Sequence, residues 1–261
     1  MPPTLRPAAA AAALLLLGAT TGCSLLAVPG TRTPGGEAAA VPPRQVVLAA
    51  AQALDDAGGA RIDVVEEGPA GRRTASGTLV WGPRDEAALT VTDERGTGQL
   101  TARNGELDLS YQGAQPRHAD RDSAESLDSR SATGPGGYAG GWMTGLVTNP
   151  GSRAYAIAQT GKLGSLGGEQ LAGMTVAHYQ GSAPVAEYFS DDKELTPERL
   201  AAVVDWYRQR GVAAIGYDVW VGPGERLLRL RATARGSAGT TVTTTDVSAP
   251  GVGDESPAGD G

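Results

Sequence analysis

Side chains able to do acid–base or metal chemistry are few in this chain of 261 residues, which has one cysteine, Cys23, and two histidines, His118 and His178. His118 stands near Asp120 and Asp122, but one histidine with neighbouring carboxylates is a poor match to the multi-ligand sets that hold zinc. His178, in the segment TVAHYQG, is expected to hydrogen-bond a neighbouring strand. The pattern therefore predicts no metal site and no catalytic histidine.

The sequence also lacks the common motifs of nucleophilic and nucleotide chemistry. It has no G-x-S-x-G elbow, and the Gly-Lys pair at 161–162 is followed by leucine, which a phosphate-binding loop does not allow. The GPGGYAGG run at 134–141 has no strand–helix context for a dinucleotide. Three carboxylates within 191–194 precede a predicted helix, where negative charge favours the helix dipole. We predict a non-enzymatic protein without a cofactor, and a hydrolase is the weakest alternative.

Cys23 is placed where a lipid could be attached covalently. It follows an apolar run, Ala8–Gly18, with Arg6 ahead of the run and the small residues Thr20–Gly22 just before the cysteine. The run is shorter than the roughly 20 residues of a membrane span and has the layout of a secretory signal peptide. Its Gly-Cys end resembles a bacterial lipobox, which implies that Cys23 carries diacylglycerol and acyl chains such as palmitate. An ordinary signal peptide with an incidental cysteine is the alternative.

Composition and charge restrict the partners and suggest the domain limits. The 22 Lys and Arg are outnumbered by 29 Asp and Glu, which argues against nucleic acid because its binding needs clustered positive charge. We interpret 1–22 as the signal peptide, 23–43 as the lipidated cysteine with a flexible tether, 44–247 as one folded domain, and 248–261 as a disordered acidic tail. The polar, aperiodic stretch 113–137 is predicted to be a long mobile loop, with a partial turn of helix as the alternative within it. The protein is predicted to be a monomer.

Hydrophobic periodicity divides the first half of the domain into one helix and several strands. Val47, Ala50, Ala51 and Leu54 recur at helical spacing and predict a helix that ends near Gly58. Five short, often alternating segments follow between residues 60 and 113. Asn-Gly at 104–105 joins the last two and is a strong hairpin signal.

The second half returns to helices and ends in strands. Two short helices are predicted from Trp142 onwards, followed by a hairpin with a glycine-rich turn after Leu166. Thr196 and Pro197 begin a clear helix, and three strands follow it, with the leucines at 228 and 230 expected on one face. Antiparallel strands with segregated helices predict an α+β fold, arranged as a single curled sheet over several helices.

Three segments of the second half resemble a known family. They are GGEQLAGMTVAHYQG (167–181), the preceding NPGSRAYAIAQTGKL, and the long segment LTPERLAAVVDWYRQRGVAAIGYDVWVGPGERLLRL. All three are similar to segments of the LolA/LppX/LprG-like superfamily of actinobacterial lipoproteins. The resemblance implies a half-barrel sheet that wraps over helices around an apolar cavity, and a role in carrying lipids or acylated proteins across the cell envelope.

The resulting expectation is a lipoprotein anchored at the extracytoplasmic face of the cell membrane that binds or carries a lipid or acyl ligand. The side chains expected to line its cavity come from the predicted helices and are Val47, Leu54, Leu146, Ile157, Leu200, Val203, Val204 and Tyr207. The alternative is a surface-tethered interaction or sensor protein with the same fold, a closed core and no ligand. No basic cluster is visible along the chain, so ligand binding is expected to depend on acyl length and only weakly on salt.

Overall fold

The computed structural model describes residues 41–83, 85–128, 130, 141–160, 162–190 and 196–251. The predicted signal peptide, Cys23, most of the tether, the carboxylates at 191–194 and the end of the acidic tail lie outside these residues. In the part of the chain that is described, no helix is both long and apolar enough to cross a membrane.

The described elements alternate in the predicted manner between helical and extended segments. The helices are α1 (Pro43–Asp56), a 3-10 helix (Arg121–Leu127), α2 (Trp142–Val147), α3 (Pro150–Thr160), α4 (Val185–Phe189) and α5 (Pro197–Gln209). The strands are β1 (Gly59–Gly68), β2 (Gly71–Val80), β3 (Glu86–Asp93), β4 (Gly96–Arg103), β5 (Glu106–Tyr111), β6 (Arg117–Asp120), β7 (Gly164–Leu171), β8 (Met174–Pro184), β9 (Ala214–Gly222), β10 (Arg226–Gly236) and β11 (Gly239–Ser248).

The described strands form one antiparallel sheet in the order β6-β5-β4-β3-β2-β1-β11-β10-β9-β8-β7. Strands β1 and β11 come from opposite ends of the domain and pair at the centre, where Val64 lies opposite Thr245. The sheet is open, with β6 and β7 as its edges, and the helices pack against it. The predicted α+β fold with a single antiparallel sheet over several helices is confirmed.

Two local predictions are confirmed by the backbone. Helix α1 buries Val47, Ala50, Ala51 and Leu54, and its small alanines let α3 pack closely against it. Strands β4 and β5 are joined at Asn104-Gly105, where φ is 54° and 84°. Positive φ at both central residues of a two-residue loop matches the right-handed twist of the flanking strands, which is why Asn-Gly is favoured there.

The first part of the predicted mobile loop contains regular structure instead. Strand β6 pairs with β5, with Ala119 opposite Leu107, and the following 3-10 helix buries Ala124 and Leu127. The loop prediction is therefore wrong for residues 117–127. Its polar composition is misleading because the acidic side chains of Glu125 and the adjoining Asp128 are buried and hydrogen-bonded, while the backbone of β6 is paired with the sheet.

Two register predictions in the second half are also wrong. The β7–β8 turn is at Ala172-Gly173, both with positive φ, so the glycines at 167–168 belong to an edge strand. In β10 the register shifts between Leu227 and Arg229, and this bulge buries Leu227 and Leu230 rather than the predicted pair at 228 and 230. A bulge inserts one residue and exchanges the two faces of the strand beyond it.

Buried hydrophobic side chains form two separate clusters under the sheet. The first includes Val203 and Tyr217 and joins α1, α3, α4 and α5 to strands β8–β11. The second includes Leu100 and Leu146 and joins strands β1–β5 to α2 and the 3-10 helix. The central strands lie where the two clusters adjoin.

Candidate ligand cavity

A cavity of about 420 Å³ lies between the two hydrophobic clusters. Strands β1, β2, β9, β10 and β11 form one side of its wall, and the 3-10 helix and helices α2, α3, α4 and α5 form the other. Ile62 and Leu146 from one cluster and Tyr207 and Leu230 from the other line it. Its volume falls in the range of about 300–1,000 Å³ that small-molecule sites occupy.

The space is unfilled because the central strands direct several small side chains towards the helices. Ala232 on β10 lies opposite Thr243 on β11, and Thr241, Thr243 and Thr245 all line the space. The helices rest on larger side chains to either side, such as Leu100 and Tyr217. Small residues in the middle of a sheet that is supported at both sides leave a gap that the surrounding side chains do not fill.

The cavity changes from apolar to polar along the strands. Ile62, Val64 and Leu230 line one part of it, whereas Glu66 and Pro69 line it further along β1 and in the β1–β2 turn. Alternate residues of a strand share one face, so this change follows directly from the sequence I-D-V-V-E. A ligand that matched these walls would need an apolar part and a polar part.

Arg73 organises the polar part of the cavity wall. Its Nε donates to Glu66 Oε1 at 2.8 Å, and one terminal nitrogen donates to both carboxylate oxygens of Asp128 at 2.9 Å. The guanidinium also lies 4.7 Å from the ring centroid of Trp142. Arg73 is only 7% exposed. The buried charge of Arg73 is tolerated because its guanidinium is paired and hydrogen-bonded with both carboxylates. The network also ties β2 to the segment after the 3-10 helix.

Glu125 is a second buried carboxyl group in the same wall. It is 2% exposed, and its Oε1 accepts a hydrogen bond from the Thr144 backbone N–H at 2.7 Å. Loss of hydration on burial raises the pKa of Glu125 to about 7, against the lowering effect of the bonds to Thr144 and of the charge of Arg73. The carboxyl group is therefore largely protonated below neutral pH.

Two further arginines of the cavity lining lie over aromatic rings. The Arg153 guanidinium carbon is 5.1 Å from the Tyr188 centroid and 4.9 Å from that of Phe189. The corresponding distance from Arg210 to Trp206 is 3.7 Å. With Arg73 and Arg130, four arginines line the cavity. No local pattern in the sequence reveals this group, because its members are spread from position 73 to position 210.

The structure disperses the predicted cavity residues. Leu146 and Tyr207 line the cavity described above, and Leu54 lines a second one of about 360 Å³ beside the β7–β8 and β9–β10 turns. The other candidates lie in the first hydrophobic cluster, where Val47, Ile157 and Val203 are buried and Leu200 and Val204 are half-buried. Which of them contact a ligand stays a prediction.

The histidines lie elsewhere on the sheet. His178 Nδ1 is 3.2 Å from Glu169 Oε2 and its Nε2 is 3.0 Å from Asp218 Oδ1, so it links β7, β8 and β9. Its ring stacks on Trp220 at a centroid distance of 4.2 Å. His118 contacts Asp108 on β5. Among the residues described, no three His, Cys, Asp or Glu side chains are placed to hold a metal ion.

No protein-family model and no curated protein matches this sequence. Solved structures with a similar fold include the lipoprotein LppX from Mycobacterium tuberculosis (11% identity, 78% of this chain and 94% of that chain, TM-score 0.46). They also include LprF from Mycobacterium bovis (12% identity, 79% of this chain and 93% of that chain, TM-score 0.47). A LolA superfamily protein from Nitrosomonas europaea matches as well (9% identity, 77% of this chain and 92% of that chain, TM-score 0.27). Structures of LolA/LppX-like proteins, the group that the three sequence segments resemble, are thus among those matched.

Proposed function

We propose that this protein is a lipoprotein, anchored at the extracytoplasmic face of the cell membrane, that binds a lipid or acyl ligand in the central cavity. The observation that carries the proposal is the 420 Å³ space between the two hydrophobic clusters. Burial of an acyl chain there would gain about 25 cal/mol for each Å² of apolar surface removed from water, less the cost of ordering the chain. The proposal includes no chemical step or cofactor, and a monomer suffices for it.

Filling the cavity should abolish ligand binding without unfolding the protein. Gly145 on α2 lines the cavity, and a Cβ added to it would meet no atom within 4 Å. We expect Gly145→Phe to weaken binding of a fluorescent fatty-acid probe by at least about tenfold, since the added ring competes for the apolar space. Ala232→Phe, from the opposite wall, should act in the same way.

Gly145→Ala is the matched control for this experiment. It also removes the helix-destabilising glycine, a gain in helix propensity of about 1 kcal/mol, but adds almost no volume, so probe binding should be retained. Lipid extracted from the purified wild-type protein and identified by mass spectrometry provides an independent measurement. A wild-type protein that retains no lipid and binds no acyl probe would refute the proposal and favour the surface-tethered interaction protein.

The proposed anchor is tested separately at Cys23. This is the only cysteine of the chain, so a labelled fatty acid can be assigned to it, whether it is an ester of the thioether-linked diacylglycerol or an amide at the mature N-terminus. Cys23→Ser should abolish labelling and either release the protein from the membrane fraction or leave an unprocessed precursor, because two or more acyl chains give firm anchoring. Unchanged labelling and fractionation of the variant would contradict the anchor.

A further inference from the structure

The cavity lining differs in charge from the chain as a whole. The net charge of the chain is −7, yet the cavity is lined by more cationic than anionic side chains. The cationic side chains are Arg73, Arg130, Arg153 and Arg210, and the acidic ones are Glu66, Glu125 and Asp128. Raising of the Glu125 pKa to about 7 by burial reduces the negative charge further. This lining favours an anionic group over a neutral one.

Only some of these arginines have bonding capacity left for a ligand. Arg73 is committed to Glu66 and Asp128. Arg210, at the end of α5, donates to the Trp206 carbonyl oxygen at 3.1 Å and lies over the ring of that residue. Among the residues described, no carboxylate forms an ion pair with Arg210. A guanidinium has five N–H donors, so most of those on Arg210 are available.

Arg130 and Arg210 lie at the same end of the cavity. A terminal nitrogen of Arg130 is 3.7 Å from the position of a Cβ on Gly71, at the β1–β2 turn. The Arg210 carbonyl oxygen accepts from the Ser237 N–H at 2.8 Å, at the β10–β11 turn. These two turns adjoin, because a Cβ on Gly239 would stand 2.8 Å from the Pro69 ring. Arg130 also bonds Glu94 at 3.0 Å, which occupies one of its donors.

We propose that the ligand is an anionic amphiphile whose phosphate or carboxylate group is held by Arg210 and Arg130 at the hairpin end of the cavity. Its acyl part lies against Ile62, Val64 and Leu230. Planar guanidinium groups suit this role because they bond two oxygens of a phosphate or carboxylate at once. The inference rests on the proposed lipid-binding function and adds the class of headgroup. It replaces the expectation of weak salt dependence drawn from the sequence.

Three ligands with one oleoyl chain each test the inference: 1-oleoyl lysophosphatidylglycerol, oleate and uncharged monooleoylglycerol. In displacement of a fluorescent acyl probe, we expect at least one of the two anions to bind about tenfold more tightly than monooleoylglycerol, since charge-assisted hydrogen bonds are the strong ones. The difference should shrink between about 0.1 M and 1 M salt, where the screening length falls from about 10 Å to 3 Å. Preference for the phospholipid alone identifies phosphate, and an equal preference for oleate identifies any terminal anion.

Arg210→Gln should remove most of this discrimination by lowering the affinity for the anions far more than that for monooleoylglycerol, and Arg130→Gln should act in the same direction. The matched control is Arg208→Gln on the same helix, since Arg208 pairs with Asp205 at 3.0 Å and lies away from the cavity. Equal wild-type affinity for charged and uncharged ligands overturns the headgroup inference while the proposed function stands. Equal losses in the Arg208 and Arg210 variants overturn it as well. Failure of all three ligands to bind rejects the proposed function together with the inference.

Discussion

Replacing Arg73 with methionine should lower the free energy of unfolding by about 3–5 kcal/mol, the usual cost of removing one partner from a buried ion pair. Arg73 bonds both Glu66 and Asp128 at 2.8–2.9 Å, and Asp128 is almost as buried as Arg73 itself. Methionine fills much of the same volume but leaves two carboxylates without their cation. Urea unfolding followed by circular dichroism measures the change.

The neighbouring residue provides the control. Arg72 pairs with Glu67 at 3.4 Å, and both side chains are more than 60% exposed. Exposed pairs contribute about 0–1 kcal/mol, so Arg72→Met should leave stability nearly unchanged. A similar loss in the two variants would mean that Arg73 is not buried in the network described. Because that network ties β2 to the segment after the 3-10 helix, Arg73→Met should also loosen the attachment of the 3-10 helix to β2.

Glu125 should make the protein less stable as pH rises through neutrality. Burial raises its pKa from 4.5 to about 7 in the folded state, so between these values the folded protein binds more protons than the unfolded chain. Stability conferred by this group is therefore complete below about pH 4.5 and is lost as pH rises to about 7 and above. At 1.36 kcal/mol per pKa unit the total loss is about 3 kcal/mol.

Glu125→Gln isolates this contribution from the other ionisable groups. The amide oxygen can still accept the Thr144 N–H, but the side chain no longer titrates. We expect the variant to be more stable than the wild type at pH 8 by up to about 3 kcal/mol, and the difference to vanish near pH 4. Glu67→Gln, at an exposed position, should leave the wild-type pH dependence intact. If the difference in the free energy of unfolding between the wild type and Glu125→Gln were constant over this pH range, Glu125 would not be the source of the pH dependence.

Elements that depend on nearby residues could be predicted from the sequence. The stripe on α1, the Asn104-Gly105 turn and the start of α5 at Pro197 each need only a short stretch of chain, because capping, turn conformation and helical spacing are local properties. The α+β class follows from the order of such elements. The bulge after Leu227 could not be predicted, since an inserted residue leaves no mark in an alternating pattern that continues beyond it.

The sequence by itself determined most of the helices and strands, with β6 and the 3-10 helix as exceptions. Through Cys23 and the apolar run before it, the sequence also determined the prediction of a lipid anchor. Only the tertiary structure decided where the cavity lies and what lines it. Strands β1 and β11 become neighbours from opposite ends of the domain, and their register sets Thr243 beside Glu66, a pairing that no local pattern encodes. Arg73 meets Asp128 across 55 positions of sequence. Burial and charge at the site depend on these long-range contacts, so the arginines and Glu125 acquire their roles only in the folded chain.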